Sequence, residues 1–327
     1  MVSRCRTPCI KGSNILMNKY ISNKLRHHPD RVAEYVADQP GRPITAQLQI
    51  IDKCFFRCFY CDKEIDRGTV MKVDDKLINR LKELGVLSVI LTGGEPLMYP
   101  GFDDLLLKLD KHFKIGIVTT LYIYKEILET VPAWIKISLD SIDPAKYGKI
   151  KGVAPKVLDS VLKNMDRLYK NKNPDIVLGT QMVITEDNKT VEQIEKVYER
   201  VHRHCDYLQL RPLEMKEPYK YPDDVYKMLI YVRDKYPKIT VSEKFYTAQL
   251  YNKCYARWTQ LLVASNYDVM ICCNRVHEKV ANLFDENLLN EIHTQELDMK
   301  KCYSPCVMSV YNQYMHNVIN GDHKEFV

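Results

Sequence analysis

The sequence predicts an α/β fold: a partial (β/α)6 TIM barrel followed by a small C-terminal domain that depends on metal. Three observations lead there. Strand-like and helix-like segments alternate strictly between residues 44 and 236, in six units. The alternation stops near residue 245. Five of the 11 cysteines, Cys254, Cys272, Cys273, Cys302 and Cys306, then follow. Strict alternation implies a parallel sheet, because each crossover helix returns the chain to the same edge. Six units are too few for a closed eight-stranded barrel, so an open one is expected.

Residues 1–41 read as a lead-in, helical over 14–40 and ending near Pro40-Gly41. Residues 44–51 are β-branched and apolar, the composition of a strand, and 74–84 read as a helix. The short apolar run 87–92 is the second strand, followed by Gly93-Gly94 and a helix over 102–112. A strand over 114–119 and a helix over 123–131 come next, then a strand over 134–139 and a helix over 155–169 opened by Pro155. The last units are a strand over 176–184 with a helix over 191–202, and a strand over 207–211 with a helix over 223–236. The expected divisions are 1–41, a barrel over 42–245 and a C-terminal domain over 246–327.

The 327 residues suffice for one large domain and a smaller one, and the 46% apolar content for a substantial core. A net charge of +6 is mild and does not call for nucleic acid. No apolar run approaches the ~20 residues of a membrane span, and residues 1–18 lack a secretory apolar region. The expected location is the cytoplasm, where a disulfide framework is not expected and clustered cysteines read as metal or catalytic sites.

Cys54, Cys58 and Cys61 lie in a loop directly after the first strand, as Cys-Phe-Phe-Arg-Cys-Phe-Tyr-Cys. Three thiolates at this spacing hold three irons of a [4Fe–4S] cluster and leave the fourth iron open to a ligand. Zinc is the competing metal, but a structural zinc site wants four ligands and only three are local. Phe55, Phe56, Phe59 and Tyr60 would shield the cluster.

This loop resembles the hallmark CxxxCxΦC of the radical S-adenosylmethionine (SAM) superfamily, with Tyr60 as the aromatic Φ at the adenine. Gly93-Gly94-Glu95-Pro96 is similar to the family's GGEP loop, whose backbone and carboxylate meet the SAM amino group, the glycines permitting close approach. Ser138 and Asp140, at the end of the fourth strand, match the family's ribose-contacting position; a helix or turn cap is the alternative for Asp140. Gln181 and Val183, in the fifth strand, resemble the stretch against adenine. The family often has Arg-Gly after the fourth strand; here it is Lys151-Gly152, and no role is carried over.

The second cysteine group resembles the family's C-terminal SPASM or shorter twitch extension, the twitch type fitting the cysteine count better. The resemblance implies an auxiliary [4Fe–4S] cluster on Cys254, Cys272, Cys302 and Cys306; a four-cysteine zinc appendage is the alternative. The usual glycine before the hairpin cysteine is replaced by Tyr267 or Asp268, which leaves Cys272 and Cys273 as competing ligands, with Cys272 the better match. Cys273 is then a candidate hydrogen-atom donor or an inert buried thiol. Cys205 reads as core, while Cys5 and Cys9 have no assigned partner. His27-His28 reads as a solvated helix break, and His202 and His204 as favourable charges near a helix end. Tyrosines between 207 and 255 are candidates for a cleft lining, though packing explains most of them.

The family resemblance implies reductive cleavage of SAM to a 5′-deoxyadenosyl radical that abstracts a hydrogen atom from substrate, with the electron from a partner such as flavodoxin or ferredoxin. Peptide epimerisation or crosslinking is the preferred reaction. Dehydrogenation or epimerisation of a small metabolite such as a sugar or aminocyclitol is the alternative, which the short lead-in favours. A non-catalytic iron–sulfur or zinc protein is the rival from another class; it would need neither the GGEP loop nor a six-unit barrel.

Overall fold

Apolar side chains at every second position of seven successive segments bury them side by side, and the intervening amphipathic helices cover one face. The computed structural model describes residues 24–61, 68–213, 221–242, 245, 253–273, 275–299, 302, 306 and 308–320. A short 3₁₀ turn, Lys24–His27, leads into α1 (Pro29–Val36), whose proline opens the helix. Then come β1 (Thr45–Ile51), α2 (Asp75–Glu83), β2 (Ser88–Gly93), α3 (Phe102–Asp110), β3 (Lys114–Thr119) and β4 (Trp134–Ser138). After β4 the chain forms α4 (Pro144–Lys151), α5 (Val157–Asn171), β5 (Val177–Val183), α6 (Val191–Val201), β6 (Tyr207–Arg211), α7 (Asp223–Lys235) and β7 (Ile239–Val241). Local chemistry marks the boundaries: the Asp74 carboxylate accepts the Leu77 N–H at 3.1 Å to start α2, and Thr190 does the same for α6 from Gln193.

Strands β1 to β7 lie in sequence order and pair in parallel, the arrangement expected of a partial barrel. The sheet does not end at β1. Strand β8 (Gln260–Val263) pairs with β1 in parallel, Thr45 opposite Gln260, and β9 (Asp268–Cys272) with β10 (Arg275–Asn282) extends it as an antiparallel hairpin. The ten-stranded order is β10-β9-β8-β1-β2-β3-β4-β5-β6-β7. The C-terminal segment thus continues the barrel's own sheet instead of hanging from it. Helices α8 (Leu288–Thr294) and α9 (Ser309–Asn320) follow.

Several expected elements change. In place of a helix over 123–131 there is one 3₁₀ turn, Glu126–Glu129. Leu121 takes φ +58°, and Asn164 donates to the carbonyls of Leu121 and Tyr122 at 3.0 Å each, so the chain leaves β3 extended. Helix α4 and the three-residue β7 are additional. The expected lead-in helix reduces to α1 and the turn before it, the part before residue 24 lying outside the described residues. No helix among the described residues is long and apolar enough to cross a membrane.

Candidate active site at the carboxyl ends of the strands

The cysteine loop is the chain leaving β1, and it is gripped from two sides. On one side, Gly94 N–H donates to Ile51 O at 2.6 Å and Glu95 N–H to Lys53 O at 2.9 Å. A Cβ on Gly93 would lie 2.2 Å from Ile51 O, and one on Gly94 2.2 Å from Lys53 O, with Gly93 at φ +133°. The close approach these glycines permit is therefore to the backbone that carries the cysteines. On the other side, Arg57 N–H donates to Lys151 O at 2.9 Å and Phe59 N–H to Ile150 O at 3.3 Å. Gly152 ends α4 at φ +62°, where a Cβ would meet Arg57 O at 2.3 Å.

Cys54 and Cys58 are half-buried and Cys61 is exposed. Burial pushes the Cys54 thiol up to about 12, opposed by the Phe56 N–H, and the charges of Glu95, Cys58 and Cys61 push the same way as burial. Burial also raises Cys58, against the nearby Lys151. Cys54 and Cys58, whose thiols burial holds protonated, share one loop with exposed Cys61, and the sequence has no other cysteine or histidine between residues 45 and 70; this is a donor set that a positively charged metal core would satisfy. They fit an iron–sulfur cluster with one open iron. Among the described residues, no three His, Cys, Asp or Glu side chains converge on a single ion. Phe56 is buried, while Phe55 and Phe59 stay about half-exposed around the loop.

The buried carboxylates around this loop face inward. Glu95 is 1% exposed. It accepts from Thr119 Oγ1 (2.6 Å), Leu97 N (3.2 Å), Thr120 N (2.9 Å) and Thr120 Oγ1 (2.6 Å), which ties the Gly93–Pro96 turn to the end of β3. Asp140 is 0% exposed and pairs with Lys151 Nζ at 2.8 Å, Lys151 itself being 1% exposed. Tyr60 Oη donates to the same carboxylate at 2.5 Å and accepts from Lys151 at 2.9 Å, while Val183 N–H donates to its other oxygen at 2.8 Å. Burial alone would lower the Lys151 ammonium; Asp140, Tyr60 and Cys58 outweigh it and hold it well above the ordinary value. Asp140 is thus engaged inside the protein instead of being presented to a ribose, and it caps no helix: Asp143 caps α4, accepting from Lys146 N–H at 3.0 Å. Asn188 completes the grip, donating to Asp140 O and Val183 O at 2.8 Å each.

Ser138 remains part-exposed at the end of β4. Its Oγ accepts from Gln181 Nε2 at 3.4 Å, and Gln181 Oε1 accepts from Arg211 at 3.2 Å. Sequence reasoning gave no role to Lys151, Thr119, Thr120, Asn188 or Arg211. For Lys151 the signal was present as a lysine before a helix-ending glycine.

Burial lowers the Arg257 guanidinium, and the charges of Cys254, Cys272 and Cys302 act on it in the opposite sense. Cys254 Sγ accepts from Asn312 Nδ2 at 3.4 Å, and Cys306 Sγ from Met308 N–H at 3.3 Å. Cys273 lies elsewhere, beside Lys24, an ammonium that burial drives down to about 7 against the charge of Cys273. Tyr267 takes φ +68°, so the residue in the expected glycine position keeps the backbone that favours glycine. Cys205 is buried, 2.8 Å from Thr180 Oγ1, as a core thiol. Cys5 and Cys9 lie outside the described residues.

Comparison with known proteins agrees with this geometry. Residues 48–201 match the family model of the radical SAM superfamily. Curated relatives include a "Probable GTP 3′,8-cyclase" of Methanosarcina acetivorans, 28% identical over 160 residues, covering 44% of this chain and 48% of the relative. Another so named, from Pyrococcus horikoshii, is 27% identical over 208 residues, covering 55% and 66%. The chain spans about half the length of the first of these relatives. Among solved structures, Streptococcus suis SuiB bound to S-adenosylmethionine superposes with a TM-score of 0.65 at 20% identity, covering 88% of this chain and 79% of that one. His-tagged anSMEcpe with bound AdoMet gives 0.56 at 16% identity, covering 78% and 81%. At such identities the likeness is one of fold. Residues 48–201, which hold the cysteine loop and the glycine turn that grips it, are therefore a radical SAM domain.

Proposed function

We propose that this chain uses SAM to abstract a hydrogen atom from a peptide, and that Cys254, Cys272, Cys302 and Cys306 hold an auxiliary [4Fe–4S] cluster. The observation that carries the reading is the doubly gripped loop of Cys54, Cys58 and Cys61. A [4Fe–4S] cluster bound there supplies the electron that splits SAM into methionine and a 5′-deoxyadenosyl radical. The protein's part is positioning. Tyr60, pinned by Asp140 and Lys151, holds its ring for the adenine. Ser138 is the hydroxyl for the ribose, and Gln181 and Val183 line the same end of the sheet. Glu95 and the backbone of Gly93, Gly94 and Pro96 meet the amino group, with the carboxylate fixed by Thr119 and Thr120.

A peptide substrate is supported by the fold likeness to SuiB in its complex with the precursor peptide SuiA, which spans 94% of this chain. The second reading, a small polar metabolite, is favoured by the name of the curated relatives, whose likeness covers 44% of the chain in one case and 55% in another. Anaerobic reconstitution with dithionite and SAM tests both. The peptide reading expects 5′-deoxyadenosine formation to rise with a short peptide encoded beside this chain and not with GTP. The opposite pattern selects the second reading, and no 5′-deoxyadenosine under any condition removes the enzyme. In a Cys54/Cys58/Cys61 triple alanine variant, iron and sulfide should persist at the second site; zinc alone would end the auxiliary-cluster reading.

A further inference from the structure

The concave face of the sheet carries a cation that the proposed SAM chemistry does not use. Along β4, Ile135 and Ile137 are fully buried, while Trp134, Lys136 and Ser138 alternate with them and stay part-exposed. Lys136 lies two residues below Ser138 on the same face, flanked in register by Val118 on β3 and Gly179 on β5. The Tyr207 ring packs over Gly179, where a Cβ would fall 2.2 Å from it.

The partners of Lys136 among the described residues are neutral. Its Nζ donates to Gln209 Oε1 at 3.1 Å and lies 5.0 Å from the centre of the Trp134 ring. Two of its three donor positions remain. The nearest charge acting on it is another cation, Arg211 on β6, which also donates to Gln181. From β1 to β7 the described strand residues on this face, among them Gln47, Thr92, Ser138, Gln181 and Gln209, include amides and hydroxyls and no carboxylate. The two carboxylates that end nearby strands, Glu95 and Asp140, are engaged with Thr119, Thr120, Tyr60 and Lys151.

A part-buried ammonium with no counter-charge among the described residues is unfavourable in a resting protein and is retained where a ligand supplies the charge. We infer that Lys136, with Gln209 and Arg211 beside it, receives an anionic group of the substrate, a carboxylate or a phosphate, and so sets which substrates enter the barrel. Gln209 Oε1 acts as the neutral stand-in acceptor until that group arrives. Burial, with Arg211 adding to it, already pushes the ammonium down to about 7. The inference names a substrate class for the same barrel and rests on the proposed function above.

The test uses the wild-type, iron-reconstituted, SAM-bound protein. Lysines are acylated with a trace of amine-reactive ester, and modification of Lys136 is read by peptide mass spectrometry against exposed Lys82. Inorganic phosphate and glutarate are the two probes, separating a phosphate from a carboxylate site. The expected result is saturable protection of Lys136 by one of them, about fivefold as the probe nears saturation, with Lys82 unchanged. Equal labelling with and without either probe overturns the inference. Full protection by SAM alone also overturns it, because the anion would then be the cofactor's. The same preparation is assayed for 5′-deoxyadenosine, so a failure of SAM cleavage is seen separately from a failure of anion binding.

Discussion

The two cysteine regions solve one problem by different means. The loop of Cys54, Cys58 and Cys61 draws its thiols from one short stretch and borrows stiffness from distant elements. The glycine turn after β2 presses on its start, the end of α4 presses on its middle, and a buried Tyr60–Asp140–Lys151 triad fixes its last turn. The C-terminal group gathers its thiols from separate places along the chain, with contacts such as Asn312 Nδ2 to Cys254 and Met308 N–H to Cys306. Closing long loops costs entropy before any bond rewards it. The first site is therefore built by the fold, whereas the second, under the proposed reading, would lean on its own metal to hold the pieces together.

Breaking the triad should have the largest effect on stability. Lys151→Met leaves the Asp140 carboxylate buried without its cation and should cost about 3–5 kcal/mol in denaturant unfolding, with loss of iron at the first site. Gly152→Val drives a branched side chain into the Arg57 backbone at a positive φ; about 2–4 kcal/mol should be lost, again with the first site's iron. Asn312→Ala removes the donor to Cys254 and the acceptor for Ala256 N–H, and should cost about 1–3 kcal/mol. Its iron loss should fall on the second site and spare the first, the reverse of the two variants before it; loss at both sites would break the comparison.

Lys136→Met separates binding from stability. The folded-state pKa of Lys136, about 7, lies below its unfolded value, so between the two the unfolded chain holds more protons and this residue's contribution to stability rises with pH. Arg211 on β6 is the charged neighbour that sharpens the effect. The variant should therefore be more stable than wild type by about 1–2 kcal/mol below pH 7, with the advantage fading toward pH 10. The smallest effect belongs to Lys279→Ala. Its ion pair with Asp268 on the hairpin is solvent-exposed, and its loss should change stability by under ~1 kcal/mol and neither iron content.

The parallel sheet was legible because each strand and most helices carry their own period. The strands over 114–119 and 207–211 match the structure to the residue. Helix α4 was not, since its core contacts come from little more than Tyr147 and Ile150 among polar residues. The helix read over 123–131 failed on the backbone of Leu121, which no side-chain pattern announces. The cysteines and the glycine turn were visible as local motifs. The triad was not, because Tyr60 meets Asp140 and Lys151 across 80 and 91 residues of chain, and local spacing says nothing about such contacts. Continuity of the C-terminal hairpin with β1 was hidden for the same reason.

The gripped loop is proposed to present a cluster with one iron open to SAM. Electron paramagnetic resonance of the dithionite-reduced protein, prepared with Cys254 and Cys302 replaced by serine so that only the first cluster contributes, tests it most directly. Addition of SAM should shift the g-values of the reduced cluster and yield 5′-deoxyadenosine and methionine in equal amounts. A spectrum unmoved by SAM, with neither product formed, would contradict the account.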